Sequence, residues 1–246
     1  MQNTEWLHKI RTPFTIAVTV LMTIVLGSLV IILSFFSRSG NTPHLVARFW
    51  GKFVLFVSGI KVKVNGVTKV DPTKPYVFMA NHQGNFDIPV LLGCLPFQFR
   101  WLAKAELFRI PLFGRAMRGC GYISIDRFNQ RSAFDSIARA AETIRNGANV
   151  MIFPEGTRSL DGKIRPFKKG GFVLTIDAGV SIIPIIIYGT YPIMPKNRLL
   201  IRPGPVSLEI LEPVETSGYT RENKDVLMEK IRNNICDSFE KVKGKI

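Results

Sequence analysis

His82 and Asp87 lie five positions apart, in the run Asn81, His82, Gln83, Gly84, Asn85, Phe86, Asp87, directly after the apolar stretch 76–80. An apolar run that ends in polar and Gly residues reads as a buried strand passing into a loop. Ligand sites of open α/β sheets lie beyond such carboxyl ends. Gly84 in the middle of the loop lets the chain curl back, so that Asp87 reaches the imidazole of His82. A carboxylate on one ring nitrogen fixes the tautomer and leaves the other nitrogen to take a proton. Those are two members of a nucleophilic triad, with no nucleophile supplied. The segment has a plainer reading too: Asp87, Ile88 and Pro89 suit a helix start, with Asp as N-cap and Pro in the first turn. The other histidines, His8 and His44, lie in or beside a lipid-like N-terminal stretch. Acid–base chemistry through histidine in the rest of the chain therefore falls to His82.

A second run of the same kind is Val150, Met151, Ile152, Phe153, Pro154, Glu155, Gly156, Thr157, Arg158, Ser159. Pro154 ends a strand ladder and Gly156 permits a tight bend. Glu155 and Arg158 then project from a loop, near the His82 loop if the two strands are neighbours. A guanidinium presents a planar fork suited to phosphate, although a Glu–Arg pair pinning the loop reads equally well. Lys104 follows another apolar stretch and is a further candidate phosphate cation. The apolar residues of 104–114 suit either a groove for an acyl chain or ordinary core packing. Arg165, Lys168 and Lys169 add cations beside Gly170 and Gly171. A Walker loop, a GxGxxG fingerprint and a GxSxG elbow are all missing, so a kinase, a dehydrogenase and a serine hydrolase lack their defining parts.

These loops need a scaffold. Apolar runs predict strands at 60–64, 76–80, 99–103, 122–125, 149–153, 182–187 and 206–211. Helical periodicity over 130–146 places Phe134, Ile137, Ala138, Ala141 and Ile144 on one face, with Gly147 as C-terminal cap. A last amphipathic helix over 222–242 turns Val226, Ile231, Ile235 and Phe239 inward. Strands alternating with helices indicate an α/β domain around one sheet of about seven strands.

Residues 14–36 contain no charge, long enough to cross about 30 Å of hydrocarbon as a helix. The stretch is too long for a signal-peptide core, and Phe35, Phe36, Ser37 offer no small-residue cleavage site. Residues 45–57 are aromatic-rich with sparse cations at Arg48 and Lys52, as in interfacial helices. The division expected is a retained membrane anchor of two helices over 1–58, as a hairpin, and a catalytic domain over 59–246. Arg38, Arg48 and Lys52 would lie at the headgroups.

The 246 residues carry a formal charge of +15 with 46% hydrophobic residues. That pairing favours polyanionic surfaces or phosphorylated substrates. Zinc spacing, RNP-like strands and basic heptad helices are missing, so nucleic acid is not expected as a partner. The three cysteines, Cys94, Cys120 and Cys236, are odd in number and widely spaced, which suggests neither a disulfide framework nor a metal site. Cys94, among leucines, reads as a buried helical residue more readily than as a nucleophile.

Taken together the loops resemble the glycerolipid acyltransferases. His82 and Asp87 fit the family's HxxxxD block, 104–114 its second block, 153–159 its FPEGTRS block, and 180–187 with Pro184 its fourth. Phe167, Lys168, Lys169 and Gly170 match a further common element. The resemblance covers roughly 60–215. One departure is Gly84, where many members carry Ser or Thr, so a possible hydroxyl bond within the loop is lost. The resemblance implies that the nucleophile is a substrate hydroxyl. His82 would deprotonate the 2-hydroxyl of lysophosphatidic acid as it attacks an acyl thioester, with Asp87 holding the ring. Arg158 and Lys104 would clamp the acceptor phosphate, Glu155 would bond a glycerol hydroxyl, Gly156 would let backbone approach, and Thr157 would belong to the same substrate-binding loop. Backbone N–H groups would face the thioester oxyanion. It implies no metal and no cofactor, with acyl-CoA or acyl carrier protein as co-substrate, membrane phospholipids as surroundings, and a catalytic domain on the cytoplasmic face, at the inner membrane in a bacterium. Glycerol 3-phosphate or another lysolipid is the alternative acceptor. A non-enzymatic anionic-lipid binder is the alternative class, and a lipid hydrolase a third.

Overall fold

The computed structural model describes residues 5–37, 39–126 and 130–244, with side chains described outside 130–134. Arg38 and the side chain of Phe134 lie outside the described residues. Seven strands form one sheet: β1 (Val62–Asn65), β2 (Val77–Ala80), β3 (Arg100–Lys104), β4 (Ile123–Ile125), β5 (Val150–Ile152), β6 (Ile182–Tyr188) and β7 (Val206–Ile210). Their order is β1-β7-β6-β2-β5-β3-β4. Each strand falls on one of the expected apolar runs.

β2 lies at the centre, pairing in parallel with β5 (Val77 opposite Val150, Met79 opposite Ile152) and with β6 (Ala80 opposite Ile185). β3 and β4 continue the parallel run, and only the β6–β7 pair is antiparallel. The consequence for function is direct: the carboxyl ends of β2, β3, β5 and β6 lie along one edge. The loops carrying His82, Lys104, Glu155 to Arg158 and residues 189–196 emerge there together.

The central strands are buried on both faces, as a parallel sheet covered by helices must be. Side chains alternate across β2. Phe78 and Ala80 join one core, beneath α2 (Asn41–Val57) and α3 (Asp87–Cys94). Val77 and Met79 join the other, beneath α5 (Gln130–Arg145), α6 (Gly170–Ala178) and α8 (Lys224–Lys243). α4 (Phe113–Gly119) precedes β4, and α7 (Thr190–Ile193) follows β6.

Two helix faces differ from expectation by a rotation. In α8 the buried stripe is Leu227, Ile231, Ile235, Phe239 and Val242, whereas Val226 is 61% exposed. Four-residue spacing starting at 227 sets the stripe, and position 226 lies well around the helix from it. In α5, Ala140 is buried with Ile137, Ala141 and Ile144, and Ala138 faces outward. Gly147 caps that helix in the left-handed region, its N–H bonding the Ile144 carbonyl.

α1 (Glu5–Ser34) is, among the described residues, the one helix long and apolar enough to cross a membrane by length and composition. It packs beside α2, where Trp50 Nε1 donates to Thr23 Oγ1 at 2.9 Å. α2 in turn crosses α3 at two glycines: a Cβ on Gly51 would sit 2.7 Å from the backbone N of Gly93. Val54 and Leu55 enter the sheet core. Half-buried Arg48 bonds the Leu95 carbonyl, tying α2 to the end of α3. His44 is fully buried against Phe99 and Tyr122.

Candidate active site

The site starts where β2 ends. Asn81 is buried, and its amide continues the ladder with side-chain bonds: Nδ2 donates to the Ile187 carbonyl at 2.8 Å and Oδ1 accepts the Ile187 N–H at 2.7 Å. This fixes the point from which His82 departs. The β5 loop then grips the His82 peptide from both sides. Its N–H donates to Glu155 Oε1 at 2.6 Å, and its carbonyl accepts the Ser159 N–H at 2.8 Å. The imidazole stacks on Phe153 with ring centroids 3.8 Å apart, and Phe153 stacks on Trp101.

His82 Nδ1 lies 2.7 Å from Asp87 Oδ2. The same oxygen accepts the N–H groups of Gln83 at 2.6 Å and Gly84 at 2.9 Å, while Oδ1 accepts the hydroxyl of Thr190. A carboxylate so surrounded by donors is an acceptor, so the proton between Asp87 and the ring resides on Nδ1. Nε2 is then the nitrogen with a lone pair to offer. α3 does start at Asp87, but its N-cap is Phe86 and not Asp87 as the sequence suggests, because the Asp87 carboxylate turns back onto His82, Gln83 and Gly84.

Glu155 is buried, with its second oxygen taken by the Arg165 N–H at 2.7 Å. Burial lifts its carboxyl from 4.5 to about 7, against the lowering effect of the two backbone donors. Its hydrogen bonds run to backbone, which makes it a tie between two loops. Gly156 has a φ of +73° and closes the turn with its N–H on the Phe153 carbonyl. Arg158 Nη1 donates to Asn85 Oδ1, and Asn85 Nδ2 holds the Met194 and Pro195 carbonyls, each at 3.1 Å.

One cavity of about 660 Å³ joins these groups, a size typical of small-molecule sites. His82, Lys104, Thr157, Arg158 and Lys196 stand on its wall. The rest is mainly apolar, including Leu92, Met117 and, from the 104–114 segment, Leu107 and Phe113. α1 contributes Ile16, Val20, Leu26 and Val30, so the apolar N-terminal helix is a wall of the site. Lys104, Arg158 and Lys196 have no carboxylate partner among the described residues. Lys196 Nζ lies 3.1 Å from Thr157 Oγ1. Sequence spacing gave no hint of Lys196, Asn85 or Thr190 as parts of the site. The sheet brings the first and last of these in from beyond β6.

Cys120 also lines the cavity, but burial pushes its thiol up to about 12, leaving it neutral and unreactive at physiological pH. Burial likewise raises Cys94, on α3. Among the described residues no group of three or more His, Cys, Asp and Glu side chains is placed to hold a metal ion. The site offers a candidate general base, cations without a carboxylate partner among the described residues, and an apolar cavity, the parts needed to activate a hydroxyl on an amphiphilic phosphate ester.

Residues 61–188 match the acyltransferase family, and the chain belongs to it. The chloroplastic 1-acyl-sn-glycerol-3-phosphate acyltransferase of Brassica napus is 34% identical over 198 residues, which is 80% of this chain and 56% of that protein. The alpha form of Homo sapiens is 31% identical over 207 residues, 83% of this chain and 73% of the human one. The chain spans slightly more than half the length of the chloroplastic relatives, 56% and 54% of two of them. The crystal structure of the 1-acyl-sn-glycerophosphate (LPA) acyltransferase PlsC from Thermotoga maritima superimposes with a TM-score of 0.81 at 27% identity, covering 99% of each chain.

Proposed function

We propose that this protein transfers a fatty acyl group from an acyl thioester to the 2-hydroxyl of 1-acylglycerol 3-phosphate, giving phosphatidic acid. The observation that carries the proposal is the His82–Asp87 pair beside a cavity whose wall carries cations with no carboxylate partner among the described residues and is apolar elsewhere. The names of the relatives agree with it.

His82 Nε2 takes the proton of the acceptor hydroxyl as its oxygen attacks the thioester carbonyl. Asp87 stabilises the imidazolium that forms. Collapse of the tetrahedral intermediate breaks the carbon–sulfur bond, and the imidazolium returns its proton to the departing thiolate. General base catalysis of this kind contributes about 10²–10⁴-fold. Arg158, Lys104 and Lys196 hold the acceptor phosphate, the guanidinium by paired N–H groups and the ammonium groups as point charges. Glu155 acts on the His82 loop through backbone, and Gly156 supplies the turn that presents Thr157 and Arg158. The donor is acyl-CoA or acyl carrier protein, both anionic and suited to a basic surface.

α1 and α2 form a hairpin immersed in one leaflet, with the catalytic domain on the cytoplasmic face. Membrane lipid is then the immediate source of acceptor, and the acyl chains of acceptor and donor enter the cavity between α1 and the domain.

Purified protein assayed with 1-acylglycerol 3-phosphate, neutral and zwitterionic lysolipids and glycerol 3-phosphate, each with both donor types, tests the proposal. Phosphatidic acid should form, and His82→Ala should form none while still binding vesicles. Transfer to glycerol 3-phosphate in preference would change the acceptor, and full activity in His82→Ala would reject the mechanism.

A further inference from the structure

Asp87 is fully buried, and its two oxygens have different neighbours. Oδ2 takes the contacts from its own loop, with His82 Nδ1 and the N–H groups of Gln83 and Gly84. Oδ1 accepts the hydroxyl of Thr190 at 2.5 Å, a residue 103 positions further along the chain. Thr190 is itself fully buried, so neither partner has water as a substitute.

The path of the chain explains how the hydroxyl arrives there. β6 runs parallel to β2, and Gly189 turns out of it with a φ of +97°. A Cβ at Gly189 would lie 2.3 Å from the Pro205 carbonyl oxygen, so the turn is pressed against the β7 approach. Thr190 then begins α7 directly over the catalytic loop: its carbonyl oxygen lies 2.5 Å from where a Cβ on Gly84 would be. The contact that leaves no room for a side chain at 84 is the contact that sets the Thr190 hydroxyl on Asp87. Asn85 reinforces it, with its backbone N–H on the Met194 carbonyl at 3.0 Å.

We infer that Thr190 is a positioning residue of the acid–base pair, its hydroxyl occupying Oδ1 so that the Asp87 carboxylate cannot rotate and Oδ2 stays facing the ring. A buried carboxylate oxygen stripped of its donor is left with the desolvation cost of an anion. The carboxylate then relieves that cost by rotating, and the imidazole loses its fixed partner. Thr190 is fully buried and is not among the residues lining the cavity, so the effect falls on turnover and not on binding. The inference rests on acyl transfer through His82.

Thr190→Ser and Thr190→Ala both lose the methyl group and differ by the hydroxyl alone; Thr190→Val keeps the shape and lacks the donor. kcat and both KM values are measured for the three, beside wild type and His82→Ala. Ser should stay within about threefold of wild type, while Ala and Val lose about tenfold to hundredfold in kcat with KM values nearly unchanged. Equal loss in Ser and Ala would overturn the inference in favour of simple packing, and so would wild-type kcat in Val. A raised acceptor KM at unchanged kcat would also overturn it, by placing Thr190 in the substrate wall. Activity in His82→Ala would instead remove the underlying acyl-transfer mechanism, whatever the Thr190 variants do. The Ser–Ala comparison survives even if the valine variant does not fold.

Discussion

A base that must lift a proton from an alcohol gains most from a ring that cannot swivel, and here the ring is held at every side but one. Phe153 covers its face, Asp87 holds Nδ1, and Glu155 and Ser159 hold its peptide. Glu155 makes that grip depend on pH. Its folded pKa, about 7, lies above the ordinary 4.5, because burial disfavours the charged form. The native state therefore binds more protons than the unfolded chain between those values, so the contribution of this group to stability is full below about 4.5 and is lost as pH rises through about 7. The ionised form nonetheless accepts both N–H groups, so the loop is held best where the group contributes least to stability. In unfolding curves taken across this range, wild type should lose stability relative to Glu155→Gln as pH rises, and the difference should level off above neutrality. The opposite slope would reject the assignment. Arg158 supports a second prediction: Arg158→Lys loses both the paired donors and the Asn85 contact, so acceptor KM should rise about tenfold with donor KM unchanged. His82 with Asp87, and Glu155 with Arg158, are legible in sequence as two polar loops, because each loop follows its own apolar strand. Asn81 reads in sequence as the first loop residue, although its amide extends the ladder. Lys196 and Thr190 were not legible, because the sheet alone brings them beside residues that lie 39 and 103 positions away.

At the scale of elements, what places Asp87 is α3, and what places α3 is α2. The two helices approach so closely at Gly51 and Gly93 that a Cβ at 51 would lie 2.7 Å from the Gly93 nitrogen and 2.9 Å from the Pro89 carbonyl. Those are backbone atoms of α3, with little freedom to yield. Gly51→Ala should therefore push α3 and carry Asp87 away from His82. A loss of about 1–3 kcal/mol in stability is the ordinary cost of such overpacking, and a fall in kcat should accompany it. Gly170→Ala, where the nearest atom would lie 3.8 Å away, is the control and should leave both unchanged. Normal turnover in Gly51→Ala would separate α2 from the site. Seven apolar runs located the strands, since each ends in turn or polar residues. Their order, with β2 between β5 and β6, was not legible, because pairing is decided by contacts between distant segments. Sequence also gave α1 and α2 one role, immersion in lipid. The buried faces that turn α2 into core and α1 into a cavity wall carry ordinary apolar and small residues, which composition cannot tell from lipid-facing ones.

For the molecule as a whole, the question is how a 30-residue apolar helix relates to the bilayer. At about 1.5 Å per residue it exceeds a 30 Å hydrocarbon core, so length alone permits a span. Its contacts argue for another arrangement. Near its start, Thr12 Oγ1 accepts the Ile201 N–H at 3.0 Å and Glu5 lies 3.6 Å from Arg202. In its last third Gly27 meets Leu112, and at its end Ser34 meets Gly119. The helix thus lies along the catalytic domain throughout, and a spanning α1 would draw the charged domain into hydrocarbon. Its outer face presents Phe14, Leu21, Val25 and Ile32, joined by Leu45, Phe49 and Phe56 of α2, all exposed. One apolar face outward and one on protein suit the proposed hairpin within a single leaflet better than a span. In that proposed arrangement a lysophospholipid would reach His82 without leaving the membrane. The prediction concerns sidedness. With the three native cysteines replaced, single cysteines at Lys9 and at exposed Lys230 of α8 are labelled by a membrane-impermeant maleimide in oriented vesicles. Both should react from the same side, the one that also admits the acyl donor. Labelling of position 9 from the opposite side would replace the hairpin by a span and leave the proposed acyl transfer untouched.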